Sequence, residues 1–133
     1  MKYRFEFVPV EKLHDHEMII EATLKACISL TLDRKGIDLP ILADDQNYVI
    51  LDGHHRFHAL VELGCKRVPA YLVDYYSPEI VLSLWPTAKI KSITKDDVIR
   101  TGLSGKPYTP KTSRHTIRFE LPKRFVPLEE LME

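Results

Sequence analysis

The sequence is poor in cysteine and has no long apolar run. Cys27 and Cys65 are the only cysteines among 133 residues and form no CxxC motif, which argues against a disulfide scaffold and a four-ligand zinc site. No segment approaches the roughly 20 apolar residues that a membrane-spanning helix needs, and the N-terminal stretch lacks the apolar core of a secretory signal. The expected location is therefore the cytoplasm, without a membrane partner.

The chain also lacks a net charge, since 19 Lys and Arg residues balance 19 Asp and Glu residues. A protein that binds duplex DNA normally has a basic surplus, because phosphate neutralisation supplies most of its affinity. Duplex DNA is therefore not an expected partner. The cations within residues 106–124 form a local basic cluster that suffices for a few phosphates.

Composition and patterning predict one globular domain. Hydrophobic residues make up 44% and charged residues 29% of the chain, which is an ordinary globular balance. The sequence has no internal repeat, low-complexity tract or linker, so residues 1–133 are expected to form a single compact domain. The predicted fold class is α+β (mixed α/β), with a small mixed sheet flanked by short helices.

The predicted elements alternate between strands and helices. Strands are expected over residues 3–8, 39–43, 48–51, 67–75 and 115–121, with a hairpin turn at residues 44–47. Residues 94–97 resemble a capping box, with Asp in place of the usual Glu. Helices are expected over about residues 17–31, after Gly53, from Ser77 to just before Pro86, from Thr94 to Gly102, and as a last turn near the end. The strand, glycine turn, helix and strand around Gly53 form a crossover unit, which favours parallel pairing.

The strongest local signal is the turn formed by Asp52, Gly53, His54, His55 and Arg56. Glycine lets the backbone approach a ligand closely, and the free N–H groups at a helix N-terminus attract anions. Arginine adds a planar pair of donors for phosphate, and the aspartate suits a magnesium ion or a ribose hydroxyl. A tight turn with solvated side chains is the alternative, but so many functional groups in one turn favour phosphate binding.

A second cluster contains Lys111, Thr112, Ser113, Arg114 and His115. Two cations, two hydroxyls and a histidine form a plausible anion clamp, because hydroxyls and arginine both donate to phosphate oxygens. Composition alone favours the alternative, a polar surface loop. The cluster stays a candidate because loops often have functional roles.

A third cluster precedes the first predicted helix, where Glu17 is placed to act as a general base on a substrate hydroxyl. Helix capping by Asp15 and Glu17 is the simpler interpretation of the residues alone. Two histidine pairs have chelating spacing but no obvious third ligand, so zinc is not favoured; they are His14 with His16 and His54 with His58. Trp85 ends the helix predicted from Ser77 and is interpreted as a core or rim residue.

Residues 49–75, VILDGHHRFHALVELGCKRVPAYLVDY, resemble the ParB/sulfiredoxin-like superfamily, whose members bind nucleotide phosphates at a turn between a strand and a helix. His54 stands where sulfiredoxins have their cysteine, so the thiolate chemistry of those reductases is not expected. ParB partition proteins add a helix-turn-helix domain and a dimerisation domain, for which 133 residues leave no room.

Within this superfamily the sequence is most similar to the free serine kinases, on the blocks His16-Glu17, Asp52–Arg56 and Lys111–His115, with Trp85 in a matching place. The resemblance implies that Glu17 takes the proton from the serine hydroxyl. It also implies that Asp52–Arg56 hold the nucleotide phosphates and Mg²⁺, with Asp52 as the metal ligand, and that Lys111–His115 grip the transferred phosphate. His16 and Trp85 would contact the serine.

The leading hypothesis is therefore a kinase that transfers a phosphoryl group from ADP or ATP to free L-serine. The alternative is a non-catalytic ParB-like module that binds nucleotide for regulation, in one version with DNA as its partner. The sequence leaves the phosphate donor, the acceptor and the oligomeric state open.

Overall fold

Eight strands and four α-helices form the fold of residues 2–133, which are the residues that this computed structural model describes. Residue 1 of the predicted domain lies outside them, and the single-domain organisation stays a prediction. The strands are β1 (Arg4–Pro9), β2 (Gly36–Ile37), β3 (Ile41–Asp44), β4 (Ile50–Asp52), β5 (Arg67–Val73), β6 (Ile80–Leu84), β7 (Ser113–Ile117) and β8 (Val126–Pro127). The helices are α1 (Glu21–Arg34), α2 (His54–Glu62), α3 (Lys95–Ser104) and α4 (Leu128–Leu131).

Four strands form a mixed sheet in the order β1–β5–β3–β4, and the pairs β2–β8 and β6–β7 form two small antiparallel sheets. In the mixed sheet β5 pairs antiparallel with β1 and parallel with β3, and β3 pairs antiparallel with β4. The predicted α+β class, with a small mixed sheet and short helices, is therefore confirmed.

The parallel pair is not the one that the crossover unit predicted, because β4 and β5 run in opposite directions. A hairpin turn after β3 causes this difference. Asp44 Oδ1 accepts hydrogen bonds from the backbone amides of Gln46 and Asn47 at 2.9 and 2.8 Å. Such a local hydrogen-bonded turn makes β4 the hairpin partner of β3, so that α2 leads back to the far side of β3.

The mixed sheet is covered on both faces. Phe57 and Leu60 of α2 pack into the hydrophobic layer on one face, and Ile80 of β6 and Val98 of α3 pack into the layer on the other. Residues 68–73 of the inner strand β5 are all buried, as expected for a strand between two layers. This packing fixes the end of β4 and the start of α2 at the edge of the sheet. Within residues 2–133 no helix combines the length and the apolar character of a membrane span.

The first helix begins later than predicted, at Glu21 instead of residue 17. Residues 14–20 are held in an extended conformation by backbone hydrogen bonds to two other segments. Ile50 N donates to His14 O at 2.8 Å, and Tyr108 N donates to His16 O at 2.8 Å. Helix capping by Asp15 and Glu17 is therefore wrong, because long-range pairing overrides the local signal.

The helix predicted from Ser77 to Pro86 is also wrong, since this segment forms β6. It pairs antiparallel with β7, from Ile80 opposite Ile117 to Leu84 opposite Ser113. Ser-Pro-Glu favours a helix start, but β-branched residues follow at once, and these suit a strand that has a partner. The partner β7 starts at Ser113, two residues earlier than predicted.

Helix α3 begins with the predicted capping box. Asp97 N donates to Thr94 Oγ1 at 3.1 Å, and Thr94 N donates to Asp97 Oδ2 at 3.0 Å. The predicted end at Gly102 is wrong, because the helix continues to Ser104 and is capped by Gly105 with φ +75°. Gly102 instead allows close packing: a Cβ there would lie 2.7 Å from Cγ1 of the fully buried Val49.

The substitution Gly102→Ala is expected to lower the free energy of unfolding by about 1–3 kcal/mol, the usual cost of overpacking a core. Denaturant unfolding followed by circular dichroism measures this change. The matched control is Leu103→Ala in the same helix, whose side chain is 53% exposed and which is expected to stay within about 0.5 kcal/mol of the parent. Alanine is the better helix former, so a stabilised Gly102→Ala variant would mean that the contact with Val49 does not limit this position.

Candidate functional site

A cavity of about 870 Å³ brings the three sequence clusters together. It opens between helix α1, the turn from β4 to α2, and the small sheet β6–β7. Most of the predicted site residues line it: Glu17, Asp52, Gly53, His54, His55, Arg56, Trp85, Lys111, Ser113, Arg114 and His115. His16 and Thr112 are not part of the wall.

Gly53 makes the turn into α2 possible. Its φ of +98° lies in the left-handed region that favours glycine, and a Cβ there would lie 2.8 Å from Ile41 Cγ2 and 2.9 Å from Arg56 Nη2. Any side chain at this position would therefore push against the sheet and displace the guanidinium. The first residues of α2 line the cavity directly after this turn, and a helix start is a favourable place for an anion.

Arg56 is placed beside this helix start with spare hydrogen-bonding capacity. Its Nε is buried and has no hydrogen-bond partner within residues 2–133. Its Nη2 lies 3.9 Å from Asp52 Oδ2, which is a long and weak ion pair. A buried donor without a partner is costly unless a ligand binds it, so the guanidinium is suited to an anion in the cavity.

Lys111 and Arg114 supply two further cations to the cavity wall. Lys111 Nζ lies 4.8 Å and the Arg114 guanidinium carbon 4.7 Å from the centre of the Trp85 ring. Neither forms an ion pair with a carboxylate within the described residues, so both charges stay available. Trp85 follows strand β6 instead of ending a helix, and its half-buried ring supports the two cations through cation–π contacts.

Glu17 joins two of the predicted clusters through one carboxylate oxygen. Its Oε1 accepts hydrogen bonds from Thr112 N at 3.1 Å, Ser113 N at 2.8 Å and Ser113 Oγ at 3.1 Å. The side chain thus anchors the loop with one oxygen, and the other oxygen, Oε2, has no hydrogen-bond partner within residues 2–133.

His16 lies behind the cavity wall and is fully buried. Its Nδ1 lies 2.7 Å from Ile50 O and its Nε2 lies 2.7 Å from Ser113 Oγ. A carbonyl only accepts, so Nδ1 carries the proton, and burial lowers the pKa of the imidazole. The direct contact with serine implied for His16 is therefore not supported by its position, which is that of a support for Ser113.

Two residues of the loop cluster use their side chains for hydrogen bonds within the protein. Thr112 is buried, and its Oγ1 donates to Thr109 O at 2.7 Å, so only its backbone amide faces Glu17. His115 lines the cavity, with its Nε2 2.8 Å from the Tyr75 hydroxyl. Burial, followed by the charge of His16, lowers the pKa of His115 to about 3. Within this cluster, Lys111 and Arg114 therefore keep charges without a carboxylate partner in the described residues, whereas the amides of Thr112 and Ser113 are used by Glu17.

The histidines at the start of α2 use one ring nitrogen each within the protein. His54 Nε2 accepts from His16 N at 3.2 Å, and His55 Nε2 accepts from Ile20 N at 2.9 Å. Burial lowers the pKa of His54 well below its usual value and, together with the Lys111 charge, lowers the pKa of His55. Both rings are therefore neutral near pH 7, so neither adds a positive charge for phosphate.

The sequence analysis did not identify one wall of the cavity. Helix α1 contributes a stripe of small and apolar side chains: Ile20, Thr23, Ala26, Cys27 and Leu30. Their spacing of three or four residues is the signal that identifies one helix face. Leu30, the last residue of the stripe, is 60% exposed. This stripe adds small and apolar side chains to the cavity wall.

Asp52 is the one predicted metal ligand at the cavity, and its side chain is 69% exposed. Within residues 2–133 no group of three or more His, Cys, Asp and Glu side chains is placed to hold a metal ion. The chelating histidine pairs considered from the sequence do not gain a third ligand there.

The fold places this protein in a class of known structures, although no protein-family model matches its sequence. A mutant free serine kinase in complex with AMP superposes with a TM-score of 0.88, covering 98% of this chain and 95% of that chain at 20% identity. The protein therefore has the fold of the free serine kinases.

Two curated relatives add a likeness in sequence. An ATP-dependent L-serine kinase of Staphylothermus marinus is 37% identical over 92 residues, which are 66% of this chain and 36% of that protein. A ParB-like protein of Sulfolobus acidocaldarius is 32% identical over 109 residues, which are 78% of this chain and 53% of that protein. The chain thus spans about a third and about half of the length of these relatives, respectively. The resemblance to L-serine kinases and ParB-like proteins is confirmed.

Proposed function

We propose that this protein is a small-molecule kinase that transfers a phosphoryl group from ADP or ATP to the hydroxyl of free L-serine and forms O-phosphoserine. The observation that carries this proposal is the meeting of Arg56, Lys111 and Arg114, cations without a close carboxylate partner, around a cavity that also contains Glu17. Phosphoryl transfer needs charge neutralisation and an oriented nucleophile. The three cations supply the first, and Glu17 supplies the second.

In this mechanism the serine hydroxyl gives its proton to Glu17 Oε2 while its oxygen attacks the terminal phosphorus. The bond from that phosphorus to the bridging oxygen breaks, and AMP or ADP leaves. Arg56 and the backbone at the start of α2 hold the nucleotide phosphates, and Lys111 and Arg114 stabilise the transferred group. Trp85 borders the serine, and His16 orients Ser113.

Asp52 fits a Mg²⁺ ion that the nucleotide itself holds in large part. Magnesium usually keeps several waters and takes only one or two carboxylates, with substrate phosphates completing its shell. An exposed carboxylate next to a phosphate-binding turn suits that role. We therefore include Mg²⁺ as cofactor, with Asp52 as its ligand, to neutralise phosphate charge. The cytoplasm, where ADP and ATP are abundant, is the proposed location.

Two likenesses point to different phosphate donors. The relative from Staphylothermus marinus is described as ATP-dependent, whereas the superposed kinase contains AMP, the product that ADP leaves after losing one phosphoryl group. We therefore keep both donors in the test. Purified protein with Mg²⁺ and L-serine is incubated with ADP or ATP in parallel, and phosphoserine is followed by phosphorus NMR. Phosphoserine from either donor supports the proposal and identifies the donor, and its absence from both refutes the serine assignment.

Removing the cation at the helix start is expected to weaken nucleotide binding. Arg56→Gln should raise the nucleotide Kd about 10- to 100-fold, since a hydrogen bond to a charged group contributes about 1.5–3 kcal/mol. Isothermal titration calorimetry measures this change. The matched control is Arg100→Gln in α3, whose side chain is 74% exposed and pairs with Asp97. Equal affinity in both variants would remove Arg56 from the phosphate site.

The second candidate function is a ParB-like module that binds nucleotide without consuming it, in one version with DNA as its partner. The likeness to the Sulfolobus acidocaldarius protein over 78% of this chain favours this candidate. Nucleotide would then raise the melting temperature while no phosphoserine forms. Binding to a duplex, with affinity that falls steeply with salt, would mark the DNA-associated version.

A further inference from the structure

Three histidines on one face of α2 all contact the same extended segment, residues 15–20. The two at the helix start accept backbone N–H groups: His54 Nε2 from His16 at 3.2 Å and His55 Nε2 from Ile20 at 2.9 Å. One turn later, His58 Nε2 lies 2.8 Å from Asp15 Oδ2. Glu17 lies in the middle of the segment that these three rings hold.

The proton positions on the first two rings follow from their partners. A backbone N–H only donates, so Nε2 of His54 and of His55 must be the unprotonated nitrogen. Each ring is therefore neutral, with its proton on Nδ1. A ring in this form cannot pair with phosphate through Nε2, which is already engaged within the protein.

The other edge of the segment is held by backbone alone. Met18 N donates to Tyr108 O, and Tyr108 N donates to His16 O, both at 2.8 Å. On the side of α2, the two imidazoles take the place of a neighbouring strand. Without them, the N–H groups of His16 and Ile20 would lose their partners, and the helix start at Ile20 has no side-chain cap to replace them.

We propose that His54 and His55 are positioning residues, whose Nε2 atoms hold the backbone on either side of Glu17. The histidines of α2 then hold the backbone near Glu17, and the amides of residues 112–113 hold its Oε1. Together these contacts orient Oε2 in the cavity. This inference rests on the proposed kinase function for the role of Glu17, but the hydrogen bonds themselves are open to a direct test.

The direct test uses NMR of the whole protein labelled with ¹⁵N. A hydrogen bond from N–H to an imidazole nitrogen gives a scalar coupling between the two ¹⁵N nuclei. We expect this coupling between Ile20 N and His55 Nε2, and long-range ¹H–¹⁵N spectra should assign the proton of the His55 ring to Nδ1. A ring protonated on Nε2 at neutral pH would overturn the proposal, whatever the protein does to serine.

The functional test compares two substitutions of His55, chosen because this ring is only half-buried. His55→Phe keeps the ring without an acceptor, and His55→Gln offers an amide oxygen at similar reach. We expect kcat to fall about 10- to 100-fold in His55→Phe, because small displacements of catalytic groups have effects of this size. His55→Gln should recover most of kcat, and the nucleotide Kd should stay within about twofold in both variants.

The control is His14→Gln, directly before this segment, because the half-buried side chain of His14 makes no hydrogen bond within residues 2–133. It should retain the parent kcat. A rise in nucleotide Kd in both His55 variants with kcat unchanged would make His55 a phosphate ligand and overturn the proposal. If the parent protein makes no phosphoserine at all, the proposed function fails, while the NMR coupling still decides whether the histidines hold the segment.

Discussion

Replacing Glu17 with Gln is expected to lower the turnover of serine by about 10²- to 10⁴-fold, the range that a general base supplies. The amide oxygen of glutamine still accepts hydrogen bonds from Thr112 N and Ser113 N, so the loop stays anchored. What is lost is the basic oxygen that takes the serine proton. Nucleotide binding is therefore expected to survive, and the split between kcat and Kd identifies the role.

Two further variants make this result specific. Glu17→Ala also removes the acceptor for three hydrogen bonds, so it should weaken the positioning of Lys111 and Arg114 and raise the nucleotide Kd. Glu21→Gln, an exposed carboxylate one turn further along, should match the parent in both quantities. Turnover in Glu17→Gln close to that of the parent would exclude Glu17 as the base and assign it to loop anchoring alone.

Mild acid is expected to destabilise the fold because burial disfavours the charged form of three imidazoles. Burial lowers the pKa of His16, of His54 and of His115, the last to about 3. In the unfolded chain a histidine takes up its proton near pH 6.5. As the pH falls below that value, the unfolded state binds protons that the folded state does not, so the free energy of unfolding decreases.

The expected slope is about 1.4 kcal/mol per pH unit for each such histidine. For His115 the loss begins near pH 6.5 and continues until the pH reaches its folded-state pKa of about 3. Denaturant unfolding between about pH 7 and pH 5 isolates the histidines, because most carboxylates titrate lower. His115→Gln still offers an acceptor to the Tyr75 hydroxyl. It should reduce the slope of the free energy of unfolding against pH by the amount that one histidine contributes. A flat profile would mean that these rings are protonated in the folded protein.

The sequence predicted the strand, glycine turn and helix around Gly53 because the determinants of this geometry are local. Gly53 must have a positive φ at the junction of a strand and a helix, and the structure has φ +98° there. The hairpin turn at Asp44 and the capping box at Thr94 are also properties of a few neighbouring residues, and both are present. Local chemistry of this kind depends little on the rest of the chain.

Where the predictions were wrong, a distant partner overrode a local preference. Residues 77–85 have a helix-start motif, but pairing with β7 makes them a strand. Glu17 is followed by a helical pattern, but pairing with Tyr108 keeps its segment extended and delays the helix to Glu21. Such pairings join residues far apart in sequence, and no local pattern contains them.

The sequence by itself determined the class of fold and the residue types of the site, because glycine turns, caps and clusters of cations follow from local composition. Only the tertiary structure decided what each side chain does. The histidines at the start of α2 have the residue types of an anion site, yet one ring nitrogen of each accepts a backbone N–H, from residue 16 or residue 20. Burial keeps the rings neutral, and both effects arise only when the distant segments meet.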